Sequence, residues 1–237
     1  MLLSIIIPIY NEEKTIIKIL QKIDLLKYWK QNEEGGGFSK EVIVVNDGSD
    51  DNSRNILEKN SHLYSKLLNN PKNFGKGYAI KEAIKICSGD YIIIQDADDE
   101  YDPNDYVKFM SCAESFDADF VIGSRFNYDK YTRSHNFFNK TGNRFITFFF
   151  NLLYNTTFTD IYCCYIFFKK DLIEVEKIKS NGFEQHAEIL CNLVKNGKKF
   201  YEVPVNYNGR TVAEGKKIRF YHIIPIFYQI LKSKFIY

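Results

Sequence analysis

The segment from Asp90 to Asp99, Asp-Tyr-Ile-Ile-Ile-Gln-Asp-Ala-Asp-Asp, constrains the fold more than any other part of the chain. Its apolar, partly β-branched run is typical of a buried central strand, and the run stops abruptly at a group of carboxylates. Sheets of the α/β class bind ligands in the crevice beyond the carboxyl ends of their strands. The pattern therefore predicts an α/β fold with Asp96, Asp98 and Asp99 at such a crevice.

These three carboxylates also predict a cation. Neighbouring carboxylates repel one another unless a cation or a bound base neutralises them. Ligand sets made of oxygen alone are typical of Mg²⁺ or Mn²⁺. We therefore expect a divalent ion at this group of carboxylates, and that ion would in turn bind phosphate. The simpler interpretation is a strand that ends in a solvated acidic turn, because Asp102-Pro103 follows closely.

Length and charge narrow the class of protein. A chain of 237 residues is long enough for one large α/β domain, and 32 Lys and Arg against 30 Asp and Glu give no indication of a nucleic-acid-binding protein. The five cysteines form no CxxC pair and mostly fall in apolar segments, which favours free thiols in a reducing cytoplasm. The apolar N-terminal stretch is too short for a signal peptide or a membrane span.

Predicted strands and helices alternate along the chain, which indicates a mostly parallel central sheet with helices on both faces. The predicted strands are 4–9, 41–46, 63–68, 91–95, 120–123, 163–168 and 199–205. The predicted helices begin near residue 11 and near residue 51, and then cover 77–87, 105–116, 137–154 and 182–196. Pro204 predicts an edge position for the last strand, since proline cannot donate to a neighbouring strand.

Polar residues also follow the first two predicted strands. The ends of three strands therefore indicate a ligand site at the same edge of the sheet. The first strand ends in Pro8, Ile9, Tyr10, Asn11 and Glu12, and the second in Asn46, Asp47, Gly48, Ser49 and Asp50. Tyr10 could stack on a nucleobase, and Asp47 could accept hydrogen bonds from a base or a ribose. The alternative is a helix cap followed by a tight turn.

A second motif, Asn73-Phe-Gly-Lys-Gly-Tyr-Ala79, places Lys76 between two glycines at the start of a helix. Backbone amides, the helix dipole and an ammonium group can converge there on an anion such as a diphosphate. The motif matches neither the P-loop nor the dinucleotide-binding pattern. An ordinary helix start flanked by glycines is the alternative.

Arg125, Arg133 and Arg144 surround the predicted aromatic helix. Planar guanidinium groups match phosphate oxygens well, so Arg125 and Arg133 predict a second phosphate site, whereas Arg144 is better explained as structural. Solvated surface arginines are the alternative. Asp160 follows the helix as either a turn or cap residue or a catalytic carboxylate. His186 has no second histidine at metal spacing, so we interpret it as a packed or exposed side chain.

The last part of the sequence predicts a lid and a surface segment. Residues 205–220 are polar, with two glycines and four cations that include Arg210 and Lys216, and could fold over a bound diphosphate. Residues 218–237 mix apolar, aromatic and cationic side chains without the length of a membrane span. They suit either a membrane interface or a terminal helix packed on the core.

Together these motifs resemble the family 2 glycosyltransferases of GT-A fold, and the resemblance covers nearly the whole chain. The motifs are Ser4–Glu12, Val45–Ser49, Asn73–Gly77 and Gln95–Asp98. Residues 122–126, 182–189 and 202–218 are similar to the branch that makes polyprenyl-phosphate sugars, typified by dolichol-phosphate mannose synthase. The segment after Asp160, Ile-Tyr-Cys-Cys-Tyr-Ile, departs from the versions typical of that branch.

The resemblance implies one domain with a nucleotide-sugar-binding half, 1–124, an acceptor-binding half, 125–217, and an amphipathic segment, 218–237. It implies that the nucleotide contacts Asp47 together with Pro8, Tyr10, Asn11 and Glu12. It also implies that Asp96 and Asp98 hold the metal and the diphosphate. Lys76, Arg210 and Lys216 would assist departure of the diphosphate. Arg125 and Arg133 would meet the acceptor phosphate.

The implied activity is a metal-dependent inverting transfer of mannose or glucose from a GDP- or UDP-sugar to a polyprenyl phosphate. Many members of the branch carry carboxyl-terminal transmembrane helices, whereas this sequence ends at Tyr237 without one. It is therefore expected at the cytoplasmic face of a membrane through peripheral contact. One alternative is a transferase acting on a sugar hydroxyl, which would need a base such as Asp160. A nucleotide-sugar pyrophosphorylase and a non-catalytic nucleotide-sugar-binding subunit are the others.

Overall fold

The computed structural model describes residues 1–26, 38–126, 137–211 and 223–236. Its seven strands are β1 (Leu2–Ile9), β2 (Ser39–Asn46), β3 (Lys66–Asn69), β4 (Tyr91–Ile94), β5 (Phe120–Ser124), β6 (Ile166–Lys169) and β7 (Phe200–Pro204). The described α-helices are α1 (Ile16–Asp24), α2 (Ser53–Lys59), α3 (Lys76–Ile86), α4 (Tyr106–Phe116), α5 (Phe137–Tyr154), α6 (Gln185–Asn196) and α7 (Ile223–Phe235). The alternation of strands and helices predicted from the sequence is confirmed.

The strands form one sheet in the order β3-β2-β1-β4-β6-β5-β7. All described pairings are parallel except those of β6, which runs antiparallel to both β4 and β5. The sheet is therefore mostly parallel, as predicted. Strand β7 lies at one edge, which confirms the position that Pro204 indicated.

Helices cover both faces of the central strands. Successive residues of a strand point to opposite faces, yet Ile5, Ile6 and Ile7 of β1 are all completely buried. Strand β2 is equally enclosed from Glu41 to its end. Continuous apolar runs of this kind are what a parallel sheet covered on both faces requires.

This topology decides where a ligand site can form. Strands β1, β2 and β4 are parallel neighbours, so their carboxyl ends meet at the same edge of the sheet. Strand β6 runs in the opposite direction, so the residues that precede it reach that same edge. The polar clusters after the first, second and fourth strands are thereby brought together with the segment before β6.

Two predicted strands begin three residues later than expected. The third begins at Lys66 instead of residue 63, because Ser61–Leu63 forms a 3₁₀ turn. The sixth begins at Ile166 instead of residue 163. One reason is that the backbone N–H of Cys164 donates to the Tyr101 hydroxyl, at 3.2 Å, and not to a neighbouring strand.

Helix α7 packs its apolar side on the rest of the chain through Ile226 and Ile230, which are buried. It also contacts α5, where the rings of Phe149 and Phe227 meet edge to face with centroids 4.7 Å apart. The alternative of a terminal helix packed on the core is therefore correct for one side of α7. Among the described residues, no helix combines the length and apolar character needed to cross a bilayer.

Glu41 joins three strands at the opposite edge of the sheet. Its buried carboxylate accepts hydrogen bonds from Ser4 Oγ at 2.6 Å and from the Ser88 backbone at 2.8 Å, and Lys66 Nζ lies 2.7 Å away. Burial alone would raise the pKa of Glu41, but the hydrogen bonds from Lys66, Ser4 and Ser88 lower that pKa to about 2. The ionised carboxylate therefore stabilises the folded chain.

Stabilisation by a carboxylate with a lowered pKa is complete above its unfolded pKa and is lost as the pH falls toward its folded pKa. We expect the Glu41 contribution to disappear between about pH 5 and pH 2. Glu41→Gln should lower the free energy of unfolding at pH 7 by about 2 kcal/mol and flatten its acid dependence. Urea titrations at a series of pH values measure both, with the exposed Glu58→Gln as control. An unchanged acid slope in Glu41→Gln would contradict this assignment.

Candidate active site

A cleft of about 480 Å³ opens at the edge of the sheet where β1, β2 and β4 end. Nine of the site residues predicted from the sequence line it: Pro8, Tyr10, Glu12, Asp47, Lys76, Asp96, Asp98, Arg125 and Arg210. Asp160 is buried behind this lining, where it binds Arg125, whereas Asn11 is exposed and bonds to Ser49 and Asp50 outside the lining. Arg133 and Lys216 lie outside the described residues.

A buried polar network fixes Gln95, the residue before Asp96. The Oε1 atom of Gln95 accepts hydrogen bonds from the hydroxyls of Tyr106 and Tyr165, each at 2.6 Å. The side-chain amide of the same residue donates to the backbone carbonyl of Asp96 at 2.9 Å. Because Gln95 is completely buried, the carboxylates that follow it project from a rigid support.

Two side-chain cations face the carboxylates of the cleft. Lys76, the first residue of α3, places its ammonium against Asp96. Arg210 donates from one NH2 to Asp98 at 2.8 Å, and the same nitrogen lies 3.4 Å from Glu12. Asp99 does not line the cleft with the other two aspartates. Its backbone has a left-handed φ of 60°, and its carboxylate binds Lys18 and Lys22 at 2.5 and 2.7 Å.

The cleft nevertheless holds excess negative charge. Burial and the neighbouring carboxylates of Asp96 and Glu100 raise the pKa of Asp98 to about 7, although Arg210 opposes that rise. Burial also acts to raise the pKa of Asp96, but the Lys76 ammonium outweighs it and holds that pKa below its usual value. A further positive charge beside Asp98 would therefore stabilise the ionised pair.

Asp96 and Asp98 fit a divalent cation that also takes ligands from a substrate. Mg²⁺ is usually bound by one or two carboxylates together with water and substrate phosphates, not by a cage of protein ligands. In the described parts of the chain no group of three or more His, Cys, Asp or Glu side chains is arranged to hold a metal ion. Two adjacent carboxylates on the wall of an open cleft match the substrate-assisted arrangement.

The predicted anion site at the start of α3 differs from expectation. The amides of Phe74 and Gly75 donate to Asp47, with Gly75 at 2.8 Å, and the amide of Gly77 donates to the Asn181 carbonyl at 2.7 Å. The Asn70 side chain also donates to Asp47. These amides are thus satisfied within the protein, and the ammonium of Lys76 is the group that this motif presents to the cleft.

Tyr10 and Asn11 connect the ends of the first two strands. The Tyr10 hydroxyl donates to Asp50 at 3.3 Å. The backbone N–H of Asn11 donates to Ser49 Oγ at 3.1 Å, and its side-chain oxygen accepts from the Asp50 amide at 2.8 Å. Asn11 adopts a left-handed φ of 54°, which is more accessible to asparagine than to most residues. It therefore shapes the rim, while Tyr10 lines the cleft.

Arg125, which lines the cleft, forms an ion pair with Asp160. Both Nε and NH2 of Arg125 donate to the Asp160 carboxylate, at 2.7 and 2.8 Å. The backbone amides of Arg125 and Tyr162 donate to the same carboxylate at 3.1 and 3.3 Å. Asp160 is completely buried, so its role in this structure is to fix the Arg125 guanidinium, which itself lines the cleft.

The first part of the predicted lid is hydrogen-bonded to residues 100–105, which follow the cleft aspartates. The amide of Asn206 donates to Asp105 at 2.6 Å, and Tyr207 forms an isolated antiparallel bridge with Tyr101. Glu100 accepts from the amide of Arg210 and from the Tyr207 hydroxyl, both at 2.8 Å. Residues 212–220 of the predicted lid lie outside the described residues.

Several residues that line the cleft were not among the predicted site residues. They include Glu100, Tyr162, Gln185 and Tyr207, together with His186, which the sequence favoured as packed or exposed. His186 is half-buried, and its Nε2 donates to the Ile161 carbonyl at 3.1 Å. Burial and the Lys76 ammonium lower the pKa of His186 to about 4, so the ring is neutral near pH 7. The only sequence signal for Glu100 was its place directly after the aspartates.

Comparison with known protein families and relatives gives concordant results. The model of the family described as "Glycosyl transferase family 2" matches residues 4–175. The chain is 30% identical over 220 residues to the uncharacterized protein MJ0544 of Methanocaldococcus jannaschii, covering 88% of this chain and 90% of that protein. It is 34% identical over 139 residues to the dolichyl-phosphate beta-glucosyltransferase ALG5A of Trichomonas vaginalis, covering 56% of this chain and 42% of that protein.

Solved structures share the fold. TarS of S. aureus (residues 1–349) superposes with a TM-score of 0.61 at 17% identity, covering 100% of this chain and 72% of that chain. Glucosyl-3-phosphoglycerate synthase of Mycobacterium tuberculosis, crystallised with Mn²⁺, UDP and glucosyl-3-phosphoglycerate, gives a TM-score of 0.64 at 14% identity, covering 98% of this chain and 79% of that chain. The α/β fold is accordingly the GT-A fold of glycosyltransferases.

Removal of the Asp160 carboxylate should destabilise the chain, because it leaves the Arg125 guanidinium without its partner. We expect Asp160→Ala to lower the free energy of unfolding by about 3–5 kcal/mol, as for other buried ion pairs broken on one side. Urea denaturation followed by circular dichroism measures the change. The exposed Asp171→Ala should stay within about 0.5 kcal/mol of the wild type. A loss for Asp160→Ala no larger than that of the control would contradict the structural role of the pair.

Proposed function

Because the chain belongs to glycosyltransferase family 2, we propose that it transfers a hexose from a UDP- or GDP-sugar to a polyprenyl phosphate with inversion. The relative named as a dolichyl-phosphate beta-glucosyltransferase supports a lipid phosphate acceptor. The complexes of the fold neighbours with UDP-GlcNAc, and with UDP and Mn²⁺, support a nucleotide sugar donor and a divalent ion. The hexose is glucose or mannose.

The donor would occupy the cleft with its base toward Pro8, Tyr10 and Asp47 and its diphosphate toward Asp96 and Asp98. These two aspartates would hold Mg²⁺ or Mn²⁺, which when bound stabilises negative charge on the departing diphosphate. Lys76 and Arg210 already face these carboxylates, so both cations stand where they can turn to the diphosphate oxygens. They would then stabilise the charge that develops as the glycosidic bond breaks.

The state of Asp160 is the observation that carries the choice of acceptor. A sugar hydroxyl would need a general base, and Asp160 was the candidate for that role. Its carboxylate is completely buried and accepts four hydrogen bonds, two of them from the Arg125 side chain. A phosphate acceptor needs no base because it is already anionic, but it does need a cation to hold it near a second anion. Arg125, fixed by Asp160, supplies that cation, with Arg133 as a second candidate.

The second half of the chain offers a surface for a lipid acceptor. Helices α5 and α7 contribute Asn139, Asn143, Ile146, Ile223 and Ile226 to the cleft. The same two helices, with the residue that follows α7, carry eight large hydrophobic side chains that are more than half exposed. We term them the two-helix face: Phe137, Phe145, Phe148, Leu152, Ile224, Tyr228, Phe235 and Ile236. Exposed apolar surface on this scale is typical of an interaction site.

The charge of the two-helix face favours a bilayer with anionic lipids. Residues 137–154 and 223–236 contain no Asp or Glu but include Lys140, Arg144, Lys232 and Lys234. Amphipathic helices with apolar and aromatic side chains beside lysines and arginines lie in the interface plane of membranes. The chain would thus meet its acceptor by peripheral contact at the cytoplasmic face of a membrane.

Transfer can be tested with purified protein, Mg²⁺ or Mn²⁺, a panel of labelled UDP- and GDP-hexoses, and a short polyprenyl phosphate. We expect label in the lipid fraction, and Asp98→Asn should reduce it by about a hundredfold or more, because one of the two charges that hold the ion and the diphosphate is lost. The matched control is Asp90→Asn at the opposite end of β4, where the new side chain can still accept from the Leu2 amide.

Other products would identify the alternatives. Label on a sugar hydroxyl would contradict the phosphate acceptor, and release of pyrophosphate would indicate a pyrophosphorylase. Binding of nucleotide sugar without any transfer would indicate a non-catalytic subunit. Full activity of Asp98→Asn would contradict the proposed role of that carboxylate.

Membrane contact is tested by flotation with phosphatidylcholine vesicles that contain phosphatidylserine. The double variant Phe145→Glu and Phe148→Glu should bind such vesicles at least about tenfold more weakly, because it replaces two apolar contacts by like charges on an anionic surface. The double variant Leu25→Glu and Val107→Glu changes two exposed hydrophobic residues elsewhere and should bind as the wild type does. Equal flotation of both double variants would exclude the two-helix face as the membrane-binding surface.

A further inference from the structure

Two buried nitrogen atoms lack a hydrogen-bond partner in the described part of the chain, and both belong to residues that line the cleft. One is Nε of Arg210, whose NH2 already binds Asp98. The other is Nε2 of Gln185, a residue only 2% exposed. Buried polar groups are nearly always hydrogen-bonded in folded proteins. An amide donor that is left without a partner on the wall of a ligand cleft therefore points to a ligand atom that completes it.

The position of Gln185 is fixed relative to the charged centre. Gln185 begins α6 and packs on the first turn of α3, where a Cβ atom on Gly77 would lie 2.7 Å from Cβ of Gln185. Glycine at position 77 is what permits this approach. Because α3 begins with Lys76, whose ammonium contacts Asp96, the Gln185 amide is held beside the end of the cleft that carries the carboxylates.

The segment before α6 is rigid as well. Glu188 is buried, and its carboxylate accepts from the backbone amides of Lys179 and Ser180, with the shortest distance 2.8 Å. The Asn181 carbonyl accepts from the amide of Gly77 at 2.7 Å. These bonds fix the backbone that carries Gln185, and the burial of its side chain leaves the amide little room to move.

The neighbouring wall of the cleft is polar but carries no net charge. The Tyr162 ring lies against the His186 imidazole, with centroids 5.1 Å apart, and its hydroxyl donates to the Phe183 carbonyl at 3.0 Å. His186 is neutral near pH 7, since its pKa is lowered. The charged groups of Lys76, Arg125 and Arg210, which line the same cleft, are stronger hydrogen-bond donors to phosphate oxygens than a neutral amide is. An uncharged amide next to an aromatic ring suits an uncharged, hydroxylated group.

We infer that Nε2 of Gln185 donates a hydrogen bond to a hydroxyl oxygen of the hexose of the nucleotide sugar, which makes Gln185 a residue that determines sugar specificity. This inference rests on the proposed function, and it adds the hexose-recognition site to it. A site that pairs a buried amide with a particular hydroxyl rejects sugars that lack this hydroxyl, because the amide then stays unpaired.

The test uses Gln185→Met, which keeps the length of the side chain but removes its amide. Calorimetric titrations with Mg²⁺ compare UDP, UDP-glucose, GDP and GDP-mannose. We expect the variant to bind the free nucleotides as the wild type does, and to bind the preferred nucleotide sugar about tenfold more weakly, a change of about 1.4 kcal/mol. Its melting temperature should not fall, because no satisfied hydrogen bond is lost. Asn192→Ala, on the same helix and outside the cleft lining, is the matched control.

Deoxy analogues of the preferred sugar identify the hydroxyl. The analogue that lacks the oxygen paired with Gln185 should bind the wild type and Gln185→Met equally, while the other analogues keep the tenfold difference. An equal loss for free nucleotide and nucleotide sugar would overturn the inference in favour of a diphosphate contact. Unchanged sugar affinity, or a lower melting temperature without selective loss, would overturn it too.

These outcomes separate the hexose-recognition site from the proposed function. Binding of a nucleotide sugar by the wild type without any effect of Gln185→Met would reject the site and leave the function standing. A wild-type protein that binds none of the nucleotide sugars would reject the function itself, and the inference with it.

Discussion

The concentration of negative charge at the ends of β1 and β4 is the constraint on which the rest of the site depends. Glu12, Asp96, Asp98 and Glu100 all line one cleft, and each is wholly or largely enclosed. Buried carboxylates are tolerated only with partners, and the chain brings those partners from far away in sequence. Lys76 comes from α3, and Arg210 comes from the segment after the last strand. The same electrostatic demand thus joins the two halves of the domain.

A second charged centre of the cleft is built differently. At Asp98 the carboxylate lines the cleft and is short of positive charge, whereas at Asp160 the carboxylate is hidden and Arg125 lines the cleft. The first centre thus offers negative groups that need a cation, and the second offers a cation held by a buried anion. Such an arrangement can hold two anionic substrates close together without direct repulsion between them.

The sequence was sufficient to predict the strands, their polar ends and nine of the residues that line the cleft, because these follow from short apolar runs that stop at polar groups. It was insufficient where a distant group decides the role of a residue. The helix start at Lys76 had the sequence of an anion site, yet Asp47 and the Asn181 carbonyl occupy its amides. Asp160 could have been a base or a turn residue until Arg125 was found to bind it.

Gln185 is a residue whose candidate role the sequence did not indicate at all. In the sequence it is one polar residue at a helix start, and such residues are ordinarily solvated or act as caps. Only the three-dimensional structure reveals that it is buried, held by α3 and missing a partner. The roles of Arg133 and Lys216 stay predictions, since both lie outside the described residues.

The reversed direction of β6 has a consequence for how this fold can diversify. A parallel strand reaches the ligand edge with the loop that follows it, but β6 reaches that edge with the loop that precedes it. This single inversion lets Tyr162 and Cys164 line the cleft between the contributions of β4 and β5, with Asp160 buried behind them. Changes of length or chemistry in that loop can therefore alter one part of the cleft while the parallel strands β1, β2 and β4, and the polar residues that follow them, stay as they are.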